Sequence, residues 1–172
     1  MIDALPHVSA TEPDWTRERR RRGEWNPGKA LLASIRTYQS ASNPLSRRWA
    51  VLCHRFWSAV SGADIPVNTQ IGGGLLIPHP NGIVVHPDCR IGVNCLILQQ
   101  VTIGMAHGGV PVVGGHVDIG AGARLIGPIA VGDHVRIGAN AVVLGDVPTG
   151  ATAVGIPARV AGSPSDGPAP TA

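Results

Sequence analysis

Aromatic side chains are scarce in this chain, and long apolar runs are missing. Phe, Trp and Tyr make up 3% of its 172 residues, which excludes a bulky globular core and leaves Val, Ile, Leu and Ala to fill the interior. No stretch approaches the ~20 consecutive apolar residues of a membrane span, so we expect no membrane contact. The first 30 residues are polar and contain prolines instead of a signal peptide, which indicates a cytoplasmic protein.

A six-residue repeat of aliphatic residues takes the place of a mixed core. The repeated positions are Ile71, Ile77, Ile83, Val85, Ile91, Ile97, Ile103, Val113, Ile119, Leu125, Val131, Ile137 and Val143. Four residues after these positions comes a second small or aliphatic residue, so inward positions of neighbouring hexads lie two apart, as in strands. Gly, Asp and Asn between them favour turns. This pattern predicts an all-β domain, a left-handed parallel β-helix of roughly five coils with three hexads each.

The repeat divides the chain into three parts. We expect a short N-terminal arm and α-helical cap over residues 1–61, the β-helix over 62–160 and a disordered tail over 161–172. Residues 1–27 look loosely ordered, and helices are predicted at 28–43 and 45–61. In the second helix an apolar stripe recurs at helical spacing, and we expect Trp49, Phe56 and Trp57 to cover the open end of the β-helix.

The cysteines and the excess positive charge are confined to a few positions of the chain. Cys89 and Cys95 occupy inward repeat positions, so we interpret them as small core residues and not as metal or redox groups. The formal net charge of +3 is unevenly placed, with five arginines between Arg17 and Arg22. Because no aromatic or glycine pattern accompanies this run, we expect a solvated face or a subunit contact there and no nucleic-acid binding.

The repeat is interrupted at residues 78–82 and 104–112, and interruptions are where repeat proteins place function. In the first, His79 stands between two prolines that restrict its backbone. Asp64 precedes it by fifteen residues, close to one coil, so the two side chains should lie in neighbouring layers about 4.8 Å apart. They form either a base and its supporting carboxylate or an ordinary turn histidine and a connecting residue.

Several segments together resemble serine O-acetyltransferases, which are hexapeptide-repeat acyltransferases. The matching segments are 64–66, 71–75, 78–85, 97–104, 119–123, 137–139 and 154–159. The resemblance covers about residues 62–160. It implies transfer of acetyl from acetyl-CoA to a hydroxyl acceptor, most favourably L-serine, in cysteine biosynthesis, with no metal. His79 would be the general base and Asp64 would stabilise its imidazolium.

The resemblance also implies where the cofactor binds. CoA would lie in a groove between two prisms of a homotrimer, where small residues at Gly104, Ala121 and Ala139 let it approach the wall. Backbone N–H groups of Gly104 and Met105 would steady the oxyanion. Arg136 and Arg159 would meet CoA phosphates, or else they are ordinary solvated charges.

The chain departs from that family at the acceptor side. Gly109-Val110-Pro111 stands where the family has an Arg-His-Pro that holds the carboxylate of the amino acid, and Pro78 replaces a second carboxylate. His107 in the shorter loop is a candidate substitute for substrate binding. A sugar or polysaccharide hydroxyl is therefore an alternative acceptor. No cysteine-synthase complex is expected, because the family's terminal isoleucine is missing.

Two further classes stay open. A γ-type carbonic anhydrase would bind zinc through three histidines that converge between subunits, here His79, His107 and His116, with His86 and His134 in reserve. A scaffold without chemistry would need none of these residues. Bound zinc would favour the first class, and failure to bind either CoA or metal would favour the second.

Overall fold

A computed structural model describes residues 8–161, which form two helices and a stack of short strands. After a 3₁₀ turn at Trp15–Glu18 come α1 (Pro27–Ser40) and α2 (Pro44–Ser61). The strands are β1 (Gln70–Ile71), β2 (Val84–Val85), β3 (Arg90–Ile91), β4 (Leu96–Ile97), β5 (Thr102–Gly104), β6 (Val112–Val113), β7 (Asp118–Ile119), β8 (Arg124–Ile126), β9 (Ala130–Val131), β10 (Arg136–Ile137), β11 (Val142–Val143), β12 (Thr152–Gly155) and β13 (Ala158–Ala161).

The strands form the three faces of a β-helix of about five turns. Sheet 1 has the order β11-β8-β5-β2, sheet 2 the order β1-β3-β6-β9, and sheet 3 the order β13-β12-β10-β7-β4. All pairings are parallel except that of β12 with β13, which turns the chain back after a cis Ile156–Pro157 bond. Successive coils therefore place each hexad directly above the hexad one turn earlier.

The predicted inward positions form the core. All the repeated aliphatic positions are buried, as are the second-register residues between them, Cys89 and Cys95 included. Short strands suffice because each buried residue packs against its equivalents in the coils above and below. The interruptions of the repeat appear as register shifts: Arg90 pairs with Gln70, 20 positions earlier, and with Val112, 22 positions later.

Helix α1 closes the open end of the stack, which corrects the prediction for α2. Leu31, Leu32 and Ile35 of α1 belong to the same buried cluster as the β-helix core. On α2 the face that packs inward carries Ala50, His54 and Ser61, with Trp57 partly buried against the core. Trp49 and Phe56 point outward, because α1 already occupies the site where they were expected.

The two helices otherwise follow the sequence prediction, with α1 ending three residues early. The early end of α1 has a local cause. Asn43 is the N-cap of α2 and accepts a hydrogen bond from the Ser46 backbone N–H. An N-cap residue has an extended backbone, so α1 must end before Asn43. Gly62 ends α2 at φ +67°, a left-handed conformation that glycine adopts without strain.

Residues 9–18 of the N-terminal arm are packed on the β-helix, which corrects the prediction of loose order for this part of residues 1–27. The buried Asn94 side chain donates to the carbonyls of Ser9 and Glu12 and accepts from the Asp14 N–H. Glu18 forms a bidentate ion pair with Arg36. Ala161 ends β13, and the rest of the predicted tail lies outside the described residues, as do residues 1–7.

Candidate functional site

The turns between sheets 3 and 1 stack into one continuous edge, which we call the His79 corner. It comprises residues 77–83, 98–101, 120–123 and 138–141. Backbone hydrogen bonds run along it from Gly82 N–H to Gly62 O, Gln100 N–H to Asn81 O, Gly122 N–H to Gln99 O and Asn140 N–H to Ala121 O, at 2.7 to 3.0 Å. A residue's position on this edge is therefore set by the stacking of the coils.

His79 lies in the first turn of this corner, Asp64 lies one coil earlier, and both are exposed. Asp64 forms a parallel bridge with Val84, and its backbone N–H donates to the carbonyl of Ile83 at 2.8 Å. The turn carrying His79 thus stacks directly on the segment carrying Asp64. Within residues 8–161 no hydrogen bond or ion pair joins the two side chains, so their pairing stays a prediction.

A third polar side chain, His54, lies close enough to Asp64 to feel its charge, and it was not singled out from the sequence. It is buried in α2, and its Nδ1 lies 3.3 Å from the Ser34 hydroxyl of α1. Burial lowers the pKa of His54, while the Asp64 carboxylate and a hydrogen bond to the Ile65 backbone act in the opposite direction. The sequence signal was available: His54 shares a helix face with Ala50 and Ser61, opposite the apolar stripe.

Four of the predicted cofactor residues lie along or near the same corner toward the last coils, whereas Gly104 and Met105 lie at the other edge of sheet 1. Ala121 is half-buried and Ala139 is exposed, and neither places a bulky side chain on the surface. Arg136 in β10 is exposed and comes two residues before the turn at 138–141. Arg159 lies opposite Val154 in the β12–β13 pair. Neither arginine forms an ion pair with a carboxylate in the described part of the chain.

The second interruption is a compact hairpin at the other edge of sheet 1. Ala106 and Gly109 exchange both backbone hydrogen bonds, and His107 and Gly108 between them have φ of +48° and +75°, as in a type I′ turn. The hairpin rests on the next coil, where Gly127 N–H donates to Gly104 O. Met105 and His107 are exposed on it. With Ile126, Pro128 and Leu144, His107 lines a cavity of about 380 Å³.

Within one chain, the histidines of the metal alternative lie on three different edges of the β-helix. His116 and His134 stack one coil apart, as their spacing predicts, with their Nδ1 atoms 2.8 Å apart. They lie between sheets 2 and 3, whereas His79 lies between sheets 3 and 1 and His107 between sheets 1 and 2. No group of three or more His, Cys, Asp or Glu suited to a metal ion occurs among residues 8–161.

Comparisons with known proteins identify relatives of this arrangement. The chain is 40% identical to the serine acetyltransferase of Mycobacterium tuberculosis over 117 residues, which are 66% of the chain and 51% of the relative. It is 41% identical to the serine acetyltransferase of Escherichia coli K12 over 122 residues, 69% of the chain and 45% of the relative. The chain thus spans about half the length of the curated relatives it matches. No family model matches it.

Solved structures give the same result. A serine acetyltransferase in complex with CoA superposes with a TM-score of 0.70 at 38% identity, covering 79% of this chain and 57% of the other. Serine acetyltransferase from Brucella abortus strain S19 gives 0.71 at 30% identity, with 79% and 57% covered. A soybean serine acetyltransferase complexed with serine gives 0.65 at 37% identity, with 78% and 55% covered.

These similarities and the five-turn solenoid define the class. The proteins that the chain resembles are hexapeptide-repeat acyltransferases, and its β-helix is of the left-handed parallel type. Within that class the chain is similar in sequence and fold to serine acetyltransferases.

Proposed function

We propose that the protein transfers the acetyl group of acetyl-CoA to a hydroxyl acceptor, with L-serine favoured. The observation that carries this proposal is the similarity of the β-helix, at about 40% identity, to serine acetyltransferases. One of the superposed family members is a CoA complex and another is a serine complex. The part of the chain that would carry the activity is the β-helix over residues 62–160.

His79 is the proposed general base. Its imidazole would remove the hydroxyl proton as the oxygen attacks the thioester carbonyl carbon, and Asp64 would stabilise the imidazolium that forms. When the carbon–sulfur bond breaks, the imidazolium would return the proton to the thiolate, so that CoA leaves as a thiol. The absence of a hydrogen bond between the two side chains is compatible with this role, because catalytic hydrogen bonds often tighten only when substrate binds.

The position of the cofactor is proposed from the same corner. Ala121 and Ala139 have small side chains that do not obstruct the outer surface of the last coils, and Gly104 has none on the hairpin side. An extended pantetheine arm could therefore lie directly against the β-helix. Arg136 and Arg159 are charged donors for its phosphates. Backbone N–H groups of Gly104 and Met105 would stabilise the oxyanion.

A homotrimer would complete the site. A β-helix is convex on all sides, so a deep pocket requires either a loop or a neighbouring subunit. Sheet 1 is bordered by the His79 corner on one side and by the hairpin with His107 on the other. In a trimer, the hairpin of one subunit would face the His79 corner of the next and place His107 near the acceptor.

A sugar or polysaccharide hydroxyl is a second candidate acceptor, and the hairpin is the observation that favours it. A Cβ added at Gly109 would lie only 2.5 Å from the Cβ of Pro128. The position where the family carries an arginine for the carboxylate of serine therefore has no room for a side chain without rearrangement of the loop.

The test is release of the CoA thiol from acetyl-CoA by the full chain, with and without L-serine. Serine-dependent release that His79→Ala reduces by about 10²-fold or more, with CoA binding unchanged, would support both the activity and the base. Release that depends on a sugar and not on serine would support the second acceptor. Undiminished turnover in His79→Ala would exclude His79 as the base.

His107→Ala tests the hairpin, and His86→Ala serves as its control. His86 lies in the preceding coil at the same edge of sheet 1, where its Nδ1 accepts a hydrogen bond from the Asp88 N–H. A rise in the KM for the acceptor in His107→Ala, with His86→Ala unchanged, would support substrate binding by His107. Equal behaviour of the two variants would contradict it.

A further inference from the structure

Helix α2 carries an uncovered apolar row, which we call the α2 stripe and define as Leu45, Trp49, Leu52, Phe56 and Val60. The five residues recur at three- and four-residue spacing and form one face of the helix. Their exposed fractions are 76%, 65%, 60%, 58% and 40%. Single exposed apolar residues are ordinary, but a contiguous row of this kind marks an interaction surface.

Arginines lie along both edges of the stripe. Arg48 and Arg55 are exposed and lie three or four positions from Leu52 on the helix surface. At the opposite edge the Arg20 guanidinium is 5.8 Å from the centroid of the Trp57 ring. Trp25, itself 75% exposed, contacts that ring edge-on and extends the apolar surface.

The charge of this end of the molecule is strongly positive. Residues 15–61 contain ten Lys and Arg but only two acidic residues, Glu18 and Glu24. Both glutamates are engaged in ion pairs, with Arg36 and Lys29. Residues 62–161, by contrast, contain four arginines and five aspartates. The surface that displays the stripe is therefore complementary to an anionic partner.

We propose that the α2 stripe docks the protein on an anionic phospholipid surface. A helix with Trp, Phe and Leu on one face and arginines beside them is suited to lie in the plane of a lipid interface. Arginine side chains can extend from such a helix to the lipid phosphates while their stems stay in apolar contact. No described helix is long and apolar enough to cross a bilayer, so the contact is with the surface only.

A lipid surface fits the observations better than a second copy of the chain. Helices α1 and α2 contain no acidic residue, so two stripes packed together would bring arginines against arginines, which is unfavourable. A rigid protein partner would also need a groove that matches a convex row. A fluid lipid surface needs no such match. This proposal revises the expectation of no membrane contact, which followed from the lack of an apolar stretch long enough to span a membrane.

The experiment is flotation of the full chain with vesicles of phosphatidylglycerol and phosphatidylcholine, compared with phosphatidylcholine alone. We expect binding only to the anionic vesicles, with a blue shift of tryptophan emission. Trp49→Ala and Phe56→Ala should each weaken binding by about tenfold or more, as removal of a large buried apolar side chain does. Arg48→Gln and Arg55→Gln should each weaken it by about fivefold.

Val112→Ala and Arg90→Gln are the matched controls. Both residues are exposed on sheet 2, away from the helices, and we expect their variants to bind like the unchanged protein. Because Trp49 and Phe56 are more than half exposed, their variants should fold normally, which circular dichroism checks. Turnover of acetyl-CoA in the absence of vesicles should be the same in all six variants, so this test is independent of the proposed activity.

Four results would overturn the proposal. The first is no binding to anionic vesicles. The second is binding that persists in Trp49→Ala and Phe56→Ala and disappears only with salt, which would indicate arginine electrostatics without docking of the stripe. The third is self-association that Trp49→Ala abolishes, measured by sedimentation, without vesicle binding. The fourth is binding to polyglutamate but not to vesicles, which would identify an acidic polypeptide as the partner.

Discussion

His54 is a titratable side chain enclosed between two helices. Its exposed fraction is 8%, and its ring contacts the Ser34 hydroxyl and the Ile65 backbone. Burial disfavours the imidazolium and lowers the pKa of His54, and the nearby Asp64 carboxylate offsets this only in part. The neutral imidazole is therefore the form that the folded protein accommodates.

This burial predicts a loss of stability in acid. Because the pKa of His54 is lower in the folded chain than in the unfolded chain, the unfolded chain takes up the proton first. The His54 contribution is complete above the ordinary value of 6.5 and declines as the pH falls below it. The free energy of unfolding depends on pH, and titration of His54 alone can change it by no more than about 1.4 kcal/mol per pH unit.

Chemical unfolding at about pH 7 and about pH 5 measures the slope of this pH dependence. In His54→Gln the slope should become smaller, since the titrating group is gone. His107→Gln, which changes an exposed histidine of the hairpin, should leave it unchanged. An identical slope in His54→Gln and the unchanged protein would contradict the assignment.

The N-terminal arm is held on the β-helix by a few polar side chains. Asn94 is 1% exposed and makes three hydrogen bonds of 2.7 to 2.8 Å to the backbone of residues 9–14. Below it Gly73 lies so close to Trp15 that a Cβ would overlap the indole ring. The arm therefore adds a layer to the edge between sheets 2 and 3.

We predict that Asn94→Ala releases this element. Three backbone groups of the arm lose their partner, and the expected cost is about 1–3 kcal/mol. Trypsin should then cleave faster between Arg17 and Arg22, which pulse proteolysis would measure.

Asn140→Ala is the control for this prediction. Asn140 occupies an equivalent turn at the His79 corner with the same φ of +57°, but it is exposed and carries no arm. Both variants bear the same backbone strain from alanine in a left-handed conformation. Equal proteolysis rates and equal stability of the two variants would show that the arm is not held by Asn94.

At the scale of the whole molecule, the stacked coils protect what lies between them. Cys89 and Cys95 are fully buried in the column of inward residues, and burial raises the pKa of each thiol to about 11. Cys53 on α2 is only half-buried. A thiol reagent acts on the thiolate, so it reaches the two core cysteines only when coils separate.

Thiol titration at about pH 8 should therefore detect one reactive cysteine in the folded protein and all three after denaturation. Cys53→Ser should show none before denaturation. Rapid modification of Cys89 or Cys95 without denaturant would mean that the coils open locally, against the expectation for a continuous core.

Much of this architecture could be predicted from the sequence because a β-helix repeats its environment. Every inward position faces the same kind of neighbour, so Ile97 and Ile119 obey the same six-residue rule without knowledge of distant contacts. The stacking of the His79 turn on the segment of Asp64 followed in the same way from their fifteen-residue spacing. The chemistry of His79 with Asp64 did not, because side-chain distances depend on rotamers that a repeat does not specify.

The number of coils, the inward residues and the two helices thus follow from local periodicity. The folded chain alone revealed that α1 closes the stack, that Trp49 and Phe56 face outward, and that Asn94 holds the arm. A helical pattern shows which face of α2 is apolar but not whether another segment already covers the place it would occupy. The Asn94 contacts join residues 80 or more positions apart through backbone carbonyls and an N–H, groups that every sequence contains, so no residue pattern marks them.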